Sequence, residues 1–378
     1  MKYLFVNAVA GSGSTGKIAA DKCRELQAQG HQCVLAYGRW QANCDDIETY
    51  KIGTAFDYHV HGLYTRLFDR HGFGSRRATK KFLKWVFEYD PDVIWIHNLH
   101  GYYINIQLFF DYLKQAGKKV YWTLHDCWTF TGHCSHFTYM KCDKWKTGCY
   151  QCCQKNRYPK SLFCDRSRKN YLQKKQIFTG VRDMTIITPS KWLEELVKES
   201  FLGEYKTEVV YNTVDIGIFK PTPSNFREKY GLEDKKVILG VANVWDERKG
   251  LNDFIRLSRM LDDRYVIVLV GLSRKQIRRL FGQVKGIEHI TDMKELAAVY
   301  SEADVFVNPS VEETFGMTTV EAQACGTKAI VYEGTACEEI VGRTAWNVSQ
   351  AQGIAIPDNV ESLYKCVTEI LGGGYKDS

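Results

Sequence analysis

Short runs of β-branched and aromatic residues recur along this chain, each closed by a glycine-bearing turn and followed by a helical stretch. That alternation restricts the chain to an α/β architecture on parallel sheets. The clearest instance lies late in the sequence, where residues 304–310 (DVFVNPS) read as a buried strand, Phe315-Gly316 as a turn, and the residues from Met317 onward as a helix. The first N–H groups of such a helix have no intrahelical partner and its dipole is positive there, so a phosphate fits on Gly316 and Met317. Two carboxylates eight residues apart bracket the turn. Glu321, one turn into the helix, suits vicinal hydroxyls such as those of a ribose, while Glu313, before the turn, faces whatever hangs off the far end of a diphosphate.

The whole string 311–326, VEETFGMTTVEAQACG, closely resembles the signature of the retaining nucleotide-sugar glycosyltransferases of family 4, and the resemblance can be followed over almost the entire chain. It implies an α/β fold of the GT-B class, two Rossmann-like doubly wound domains facing a central cleft. The length of 378 residues independently suggests two domains. The expected division is an acceptor-side domain over 1–214, carrying a cysteine-rich insert at 127–153, and a nucleotide-sugar-binding domain over 215–378. The option that the last helix packs back on the first domain stays open. Asn212 to Pro221 resembles the family's crossing between domains, and Pro221 and Pro223 with Ser224 make a hinge through which the cleft would close and exclude water.

From the N-terminus, the strand 2–7 leads into Gly11-Ser-Gly-Ser-Thr-Gly16-Lys17. The spacing nearly spells a P-loop, but Ile18 stands where a magnesium-binding hydroxyl is needed, which argues against an NTPase. In the family this turn, with Gly13 and Gly16, approaches the donor. Residues 40–75 read as loop-rich. Strand 92–97 ends in His97, followed by Asn98 and His100, and strand 119–124 ends in His125-Asp126. Ligands gather at the carboxyl ends of parallel strands, so both groups point to one site. The resemblance implies that His125 contacts the transferred sugar, with His97 and His100 shaping the acceptor side.

In the second half, strand 236–242 leads to Arg248-Lys249-Gly250 at a helix start. The family grips the diphosphate with an Arg and a Lys five residues apart. Here Lys249 matches, but Val244 stands at the arginine position, so Arg248 either substitutes for it or is surface charge. Residues 265–271 and 287–291 read as further strands. The departing diphosphate needs a metal or fixed positive groups. Asp90-Pro-Asp92 precedes its strand and is not a strand-end metal motif, so Lys249 and the helix start at Gly316 carry that charge without a metal. The expectation is a hexosyltransferase-type retaining enzyme, metal-independent, with no catalytic cofactor and the phosphate itself taking the acceptor proton. His125, Glu313 and Lys249 are the candidate catalytic residues. Gly13, Gly16, Arg248, Lys249, Glu313, Phe315, Gly316, Met317 and Glu321 are the candidate donor contacts. The donor is a nucleotide sugar and the acceptor a saccharide or lipid-linked oligosaccharide in polysaccharide biosynthesis. A sugar-nucleotide epimerase or hydrolase on the same fold is the rival reading.

Cys134, Cys142, Cys149 and Cys152 form C-x7-C-x6-C-x2-C, which in a reducing compartment predicts a structural zinc site. His133, His136, Cys127 and Cys153 are substitute ligands, and the metal would hold a loop of about twenty-five residues with little core of its own. Net charge is +7, concentrated at 66–85 and 155–175. The first segment interleaves Arg66, Arg70 and Lys81 with Phe73, Phe82 and Trp85 and suits an anionic membrane surface or equally a nucleic-acid backbone, the plainer alternative being a solvated basic face whose apolar residues turn to the core. No partner nucleic acid is expected, since the basic segments lack a recognisable binding fold; a zinc-stabilised nucleic-acid-binding protein is the outside alternative. No apolar run reaches the length of a membrane span, and the chain opens directly on a strand, so the expected location is cytoplasmic, peripheral at the inner face of the membrane.

Overall fold

The computed structural model describes residues 1–280, 282–343 and 353–372. The chain divides into two compact units, Met1–Val210 and Tyr211–Ser378.

The first unit is built on seven strands: β1 (Lys2–Asn7), β2 (Gln32–Tyr37), β3 (Glu48–Lys51), β4 (Val93–Ile96), β5 (Lys119–Thr123), β6 (Met184–Thr188) and β7 (Lys206–Val209). They lie in the order β3-β2-β1-β4-β5-β6-β7, all neighbours parallel. Central strands of a parallel sheet are covered on both faces, and the composition obeys: Leu4, Phe5, Val6, Ile94, Ile96 and Trp122 are fully buried. Strand order reverses between β1 and β4, which makes their carboxyl ends the topological switch point. Asn7 stitches that point together, its side chain accepting from the Asn98 N–H and donating to the Val9 carbonyl.

Residues 40–75, expected as loop, contain β3 and a helix, Ala55–Phe68, opened by a capping box between Thr54 and Asp57. The helix Arg76–Tyr89 buries Ala78, Thr79, Phe82 and Val86, and Trp85 stacks on Tyr50 and Tyr89. Of the aromatic residues in the 66–85 segment, Phe73 and Phe82 are buried in the same cluster as Val86 and Ile94 and Trp85 packs against it, whereas Phe68 is exposed. The insert is also better filled than its sequence suggested. Phe130, Phe137 and Trp145 are buried, pack on one another and belong to the main core of the unit.

The second unit has six strands: β8 (Lys236–Val241), β9 (Tyr265–Val270), β10 (Val284–Ile287), β11 (Val305–Asn308), β12 (Ala329–Tyr332) and β13 (Ile354–Ile356). Their order is β10-β9-β8-β11-β12-β13, again all parallel, with the reversal between β8 and β11. The strand expected at 287–291 lies earlier, at Val284–Ile287. The last helix, Val360–Leu371, is capped by Asn359 and buries Val360, Leu363, Cys366 and Val367 in the core shared with the helix Leu251–Leu257 of this unit.

Candidate functional site

In the second unit, the loops leaving β8 and β11 flank the switch point and carry the candidate donor residues. The loop after β8 runs through Trp245, whose indole N–H donates to the Val270 carbonyl, and turns at Asp246, whose carboxylate accepts from the Lys249 N–H at 3.1 Å. Gly250 follows with φ 71°, and a Cβ there would lie 2.4 Å from the Pro309 carbonyl oxygen. Glycine thus lets the two loops meet. Their joint is double: the Val311 N–H donates to the Arg248 carbonyl, and the Arg248 guanidinium donates to the Glu312 carbonyl at 2.9 Å. Arg248 therefore acts between the loops, as a brace.

This brace brings Lys249 to Glu313. The ammonium and carboxylate form an ion pair with side-chain exposures of 20% and 17%. Glu313 is further fixed through its carbonyl, which accepts from the Ala336 N–H. The turn then reaches Gly316 at φ 93°, where a Cβ would stand 2.5 Å from the Cys337 sulfur. Only glycine can open the helix Met317–Ala324 in this way, so its first N–H groups emerge beside the Lys249–Glu313 pair's own loop. Phe315 turns inward, buried against Val320 and Ile340, and contributes packing beneath the turn. Glu321 sits one turn along and its carboxylate accepts from the Tyr300 hydroxyl at 2.9 Å. Burial, then the neighbouring Glu321, holds the Tyr300 pKa well above the phenol value, so Tyr300 stays a donor and orients Glu321. Nothing local marks Tyr300 as a site residue, since its partner lies 21 residues away.

In the first unit, the histidines expected at the ends of β4 and β5 do come together. His97 Nδ1 and His125 Nε2 are 2.9 Å apart and their rings stack at 5.2 Å. Burial drives the pKa of His125 down to about 4 and that of His97 well below its usual value, so both rings are neutral at pH 7, one nitrogen of the pair donating and the other accepting. His100 forms a separate relay: its Nε2 meets Asp126 at 2.7 Å and its Nδ1 the Tyr158 hydroxyl at 3.0 Å. Burial alone would raise the Asp126 pKa, but the His100 ring beside it holds the carboxyl well below the usual range. Tyr158, beyond the insert, was not legible as a site residue. Gly13 and Gly16 lie at the start of the helix Gly13–Ala28 that follows β1; Gly13 is unobstructed with φ 64°, and the Gly11 N–H donates to the Gly16 carbonyl, closing the turn.

The four cysteines of the insert are neighbours: Cys134 and Cys152 are hydrogen-bonded, and the pKa values of Cys134 and Cys149 are raised in part by the other thiols. Cys149 also accepts from the Gly132 N–H at 3.1 Å. Among the described residues, however, no three His, Cys, Asp or Glu side chains are disposed to hold a metal ion. As arranged, the cysteines do not fit the expected zinc site. The insert is tied down by other means: the buried Lys174 ammonium donates to the carbonyls of Trp128 and Thr131, and His133 pairs with Asp69 at 2.6 Å.

The family model described as Glycosyltransferase Family 4 matches residues 15–217, and that described as Glycosyl transferases group 1 matches residues 235–372. Over 289 residues the chain is 25% identical to WcaC of Escherichia coli (strain K12), named for colanic acid biosynthesis glycosyl transfer, covering 74% of this chain and 68% of that protein. It is 25% identical over 194 residues to the O-antigen chain mannosyltransferase RfbU of Salmonella typhimurium, covering 49% of this chain and 50% of that one. Among solved structures, a sucrose-phosphate synthase of Thermosynechococcus elongatus superposes with a TM-score of 0.70 at 17% identity, covering 99% of this chain and 90% of its own. HepE of Anabaena, solved with UDP and glucose, superposes with a TM-score of 0.64 at 15% identity, covering 98% of this chain and 90% of its own. These likenesses carry the fold, two Rossmann-like parallel-sheet units of the GT-B class. With the family model spanning more than half of its length, the chain belongs to glycosyltransferase family 4.

Proposed function

We propose that the chain transfers a hexosyl group from a nucleoside-diphosphate sugar to a saccharide or lipid-linked acceptor in polysaccharide assembly, with retention of configuration and without a catalytic metal. The observation that carries this reading is the Lys249–Glu313 pair at the β8/β11 switch point, beside a helix opened by Gly316. A diphosphate bound on the first N–H groups of that helix offers Lys249 a doubly charged partner in exchange for Glu313. Glu313, released, takes a hydrogen bond from a sugar hydroxyl, while Glu321, oriented by Tyr300, receives the ribose hydroxyls. In the reaction the bond from the anomeric carbon to the phosphate oxygen breaks, the electron pair leaves with the nucleoside diphosphate, and the acceptor oxygen bonds to the same face. The acceptor's proton passes to the departing phosphate oxygen. Lys249 stabilises the charge that develops there. His125, neutral at pH 7, is assigned to a hydroxyl of the transferred sugar. The names of the colanic acid and O-antigen relatives support the polysaccharide context, and the UDP found with Anabaena HepE supports a nucleotide-sugar donor.

The test is a thermal-shift screen of nucleotide sugars followed by product analysis with and without acceptor. A donor that raises the melting temperature of the wild type and fails to do so for Lys249→Ala supports the reading. Release of free sugar or of an epimerised donor, with no transfer to any saccharide or lipid-linked acceptor, overturns it.

A further inference from the structure

A surface helix ordinarily buries its apolar side and shows its polar side to water. The helix Ala55–Phe68 does the reverse. Its buried residues are His61 and Thr65, whereas Phe56, Val60, Leu63 and Phe68 are exposed, at 75%, 49%, 59% and 48%. Phe56, Val60, Phe68 and the exposed Tyr64 between them follow one another at four-residue steps, with Leu63 three after Val60, so they form one continuous row. Single exposed apolar residues mean little, but a row of them along one helix marks an interaction surface.

The row extends sideways. The Leu162 N–H donates to the Arg66 carbonyl in the last turn of the helix, which sets Leu162 and the 72%-exposed Phe163 alongside it. Next to them opens a shallow cavity of about 370 Å³ lined by Tyr64, Phe68, Arg70, Arg166, Lys169 and Gln173. Three cations and no carboxylate line it. The nearby acids are committed elsewhere: Asp57 caps its own helix, Asp69 holds His133 and the Arg166 N–H, and Asp165 accepts from the N–H groups of Cys152 and Ser167. Apart from the buried Lys174, residues 160–175 carry five Lys or Arg against that one Asp165.

We propose that this face of the first unit docks on an anionic lipid bilayer, the apolar row and Phe163 entering the headgroup boundary and the Arg70–Arg166–Lys169 cavity receiving a lipid phosphate. Apolar side chains rimmed by cations are what such an interface selects, whereas a second copy of this strongly basic face would repel it. No helix among the described residues is long and apolar enough to cross a membrane, so the contact is one of surface. The inference shifts the contact from the 66–85 segment as a whole, where Phe73 and Phe82 lie in the core, to the helix that ends inside it, and keeps Phe68 and Arg70. It stands on the first unit alone and does not depend on the donor site.

The experiment is co-sedimentation of the full chain with vesicles of phosphatidylcholine alone and of phosphatidylcholine mixed with phosphatidylglycerol. The wild type is expected to pellet with the mixed vesicles only, and to be released as salt rises from about 0.1 M to about 1 M, where screening shortens from about 10 Å to about 3 Å. Leu63→Glu combined with Phe163→Glu should lower binding by about tenfold or more, the loss of two buried apolar side chains. Lys169→Glu should lower it about fivefold. Should the double variant fold poorly, Phe56→Ser at the most exposed position takes its place. Equal binding by the variants, or equal binding of the wild type to both vesicles at all salt concentrations, overturns the proposal. So does a wild-type dimer that the substitutions disperse while vesicle binding is absent, which would assign the face to a second copy. Nucleotide-sugar thermal shifts are read on the same variants, and vesicle binding on Lys249→Ala, so failure of either reading is distinguishable from failure of the other.

Discussion

Lys249–Glu313 in the second unit and His133–Asp69 in the first are both pairings across 64 residues of chain, yet they sit in opposite solvents. The first pair is partly exposed, at 20% and 17%; the second is sealed, at 0% and 1%. A charge that keeps contact with water can change partners at modest cost, so Lys249 can trade a carboxylate for a phosphate. A sealed carboxylate cannot lose its partner without being stranded. Asp69 also accepts from the Arg166 N–H, and its carbonyl accepts from Asn170, so its own segment, the His133 loop and the start of the helix Ser167–Phe178 converge on one residue. On the function proposed above, the exchangeable pair serves binding, and the sealed one serves architecture.

That contrast breaks first, and most visibly, in stability. His133→Ala should destabilise the protein by about 3 kcal/mol, read as a lowered urea midpoint, because it strands a buried carboxylate. A loss below about 1 kcal/mol would make the sealed pair no different from a surface one. Acid should expose the same buried polar character at His61. Its Nε2 accepts from the N–H groups of Gly72 and Gly74, and burial lowers its pKa from 6.5 to about 4. Between those values the unfolded chain holds a proton that the folded chain does not, so stability is full above pH 6.5 and falls as pH drops toward 4. The His61 share of the slope is about 1.4 kcal/mol per pH unit, or about 3 kcal/mol in all, and the buried His97 and His125 add to it with the same sign. Denaturant titrations across that range check it, and His61→Gln should reduce the slope by about its share.

Lys249→Ala inverts the pattern. Transfer should fall by roughly ten- to a hundredfold, the equivalent of a charge-assisted hydrogen bond of about 1.5–3 kcal/mol, while the urea midpoint barely moves. A comparable loss of stability would show that the pair is architectural after all. The smallest effect is expected at Arg248→Ala, which removes one donor to the Glu312 carbonyl. A change of about 1 kcal/mol in kcat/KM fits a brace. A loss as large as that of Lys249→Ala would assign Arg248 to the diphosphate instead, in place of the arginine that Val244 displaces.

What could be read from the sequence divides along similar lines. The stretch 304–326 was legible because strand, turn and helix follow one another without interruption, so periodicity and the glycine report on the same few residues. The histidines at the ends of β4 and β5 were legible because parallel strands carry their ends to one edge. The helix Ala55–Phe68 was not, because its apolar residues face outward and its buried side presents His61 and Thr65, which inverts the signal that marks an amphipathic helix. The insert was read through its cysteines, whereas Phe130, Phe137 and Trp145, scattered over sixteen positions, fill its core. β10 was placed a few residues late because Ile287-Glu-His-Ile290 and Val284-Lys-Gly-Ile287 carry the same spacing of apolar ends, and only pairing with β9 decides between them. Asp69–His133 has no local signature at all.

The all-parallel sheets also set an order of events at the ribosome. No strand of the first unit can pair with its neighbour through a tight turn, and β1, an interior strand between β2 and β4, pairs on one side with β4, so Tyr3 must wait for Val93, ninety positions later (93 − 3). Until β4 emerges, Leu4, Phe5 and Val6 are a nascent apolar segment with an open edge, the state most prone to association with other chains. Slow decoding between β1 and β4 should therefore lower the yield of folded protein more than equal delays after β7.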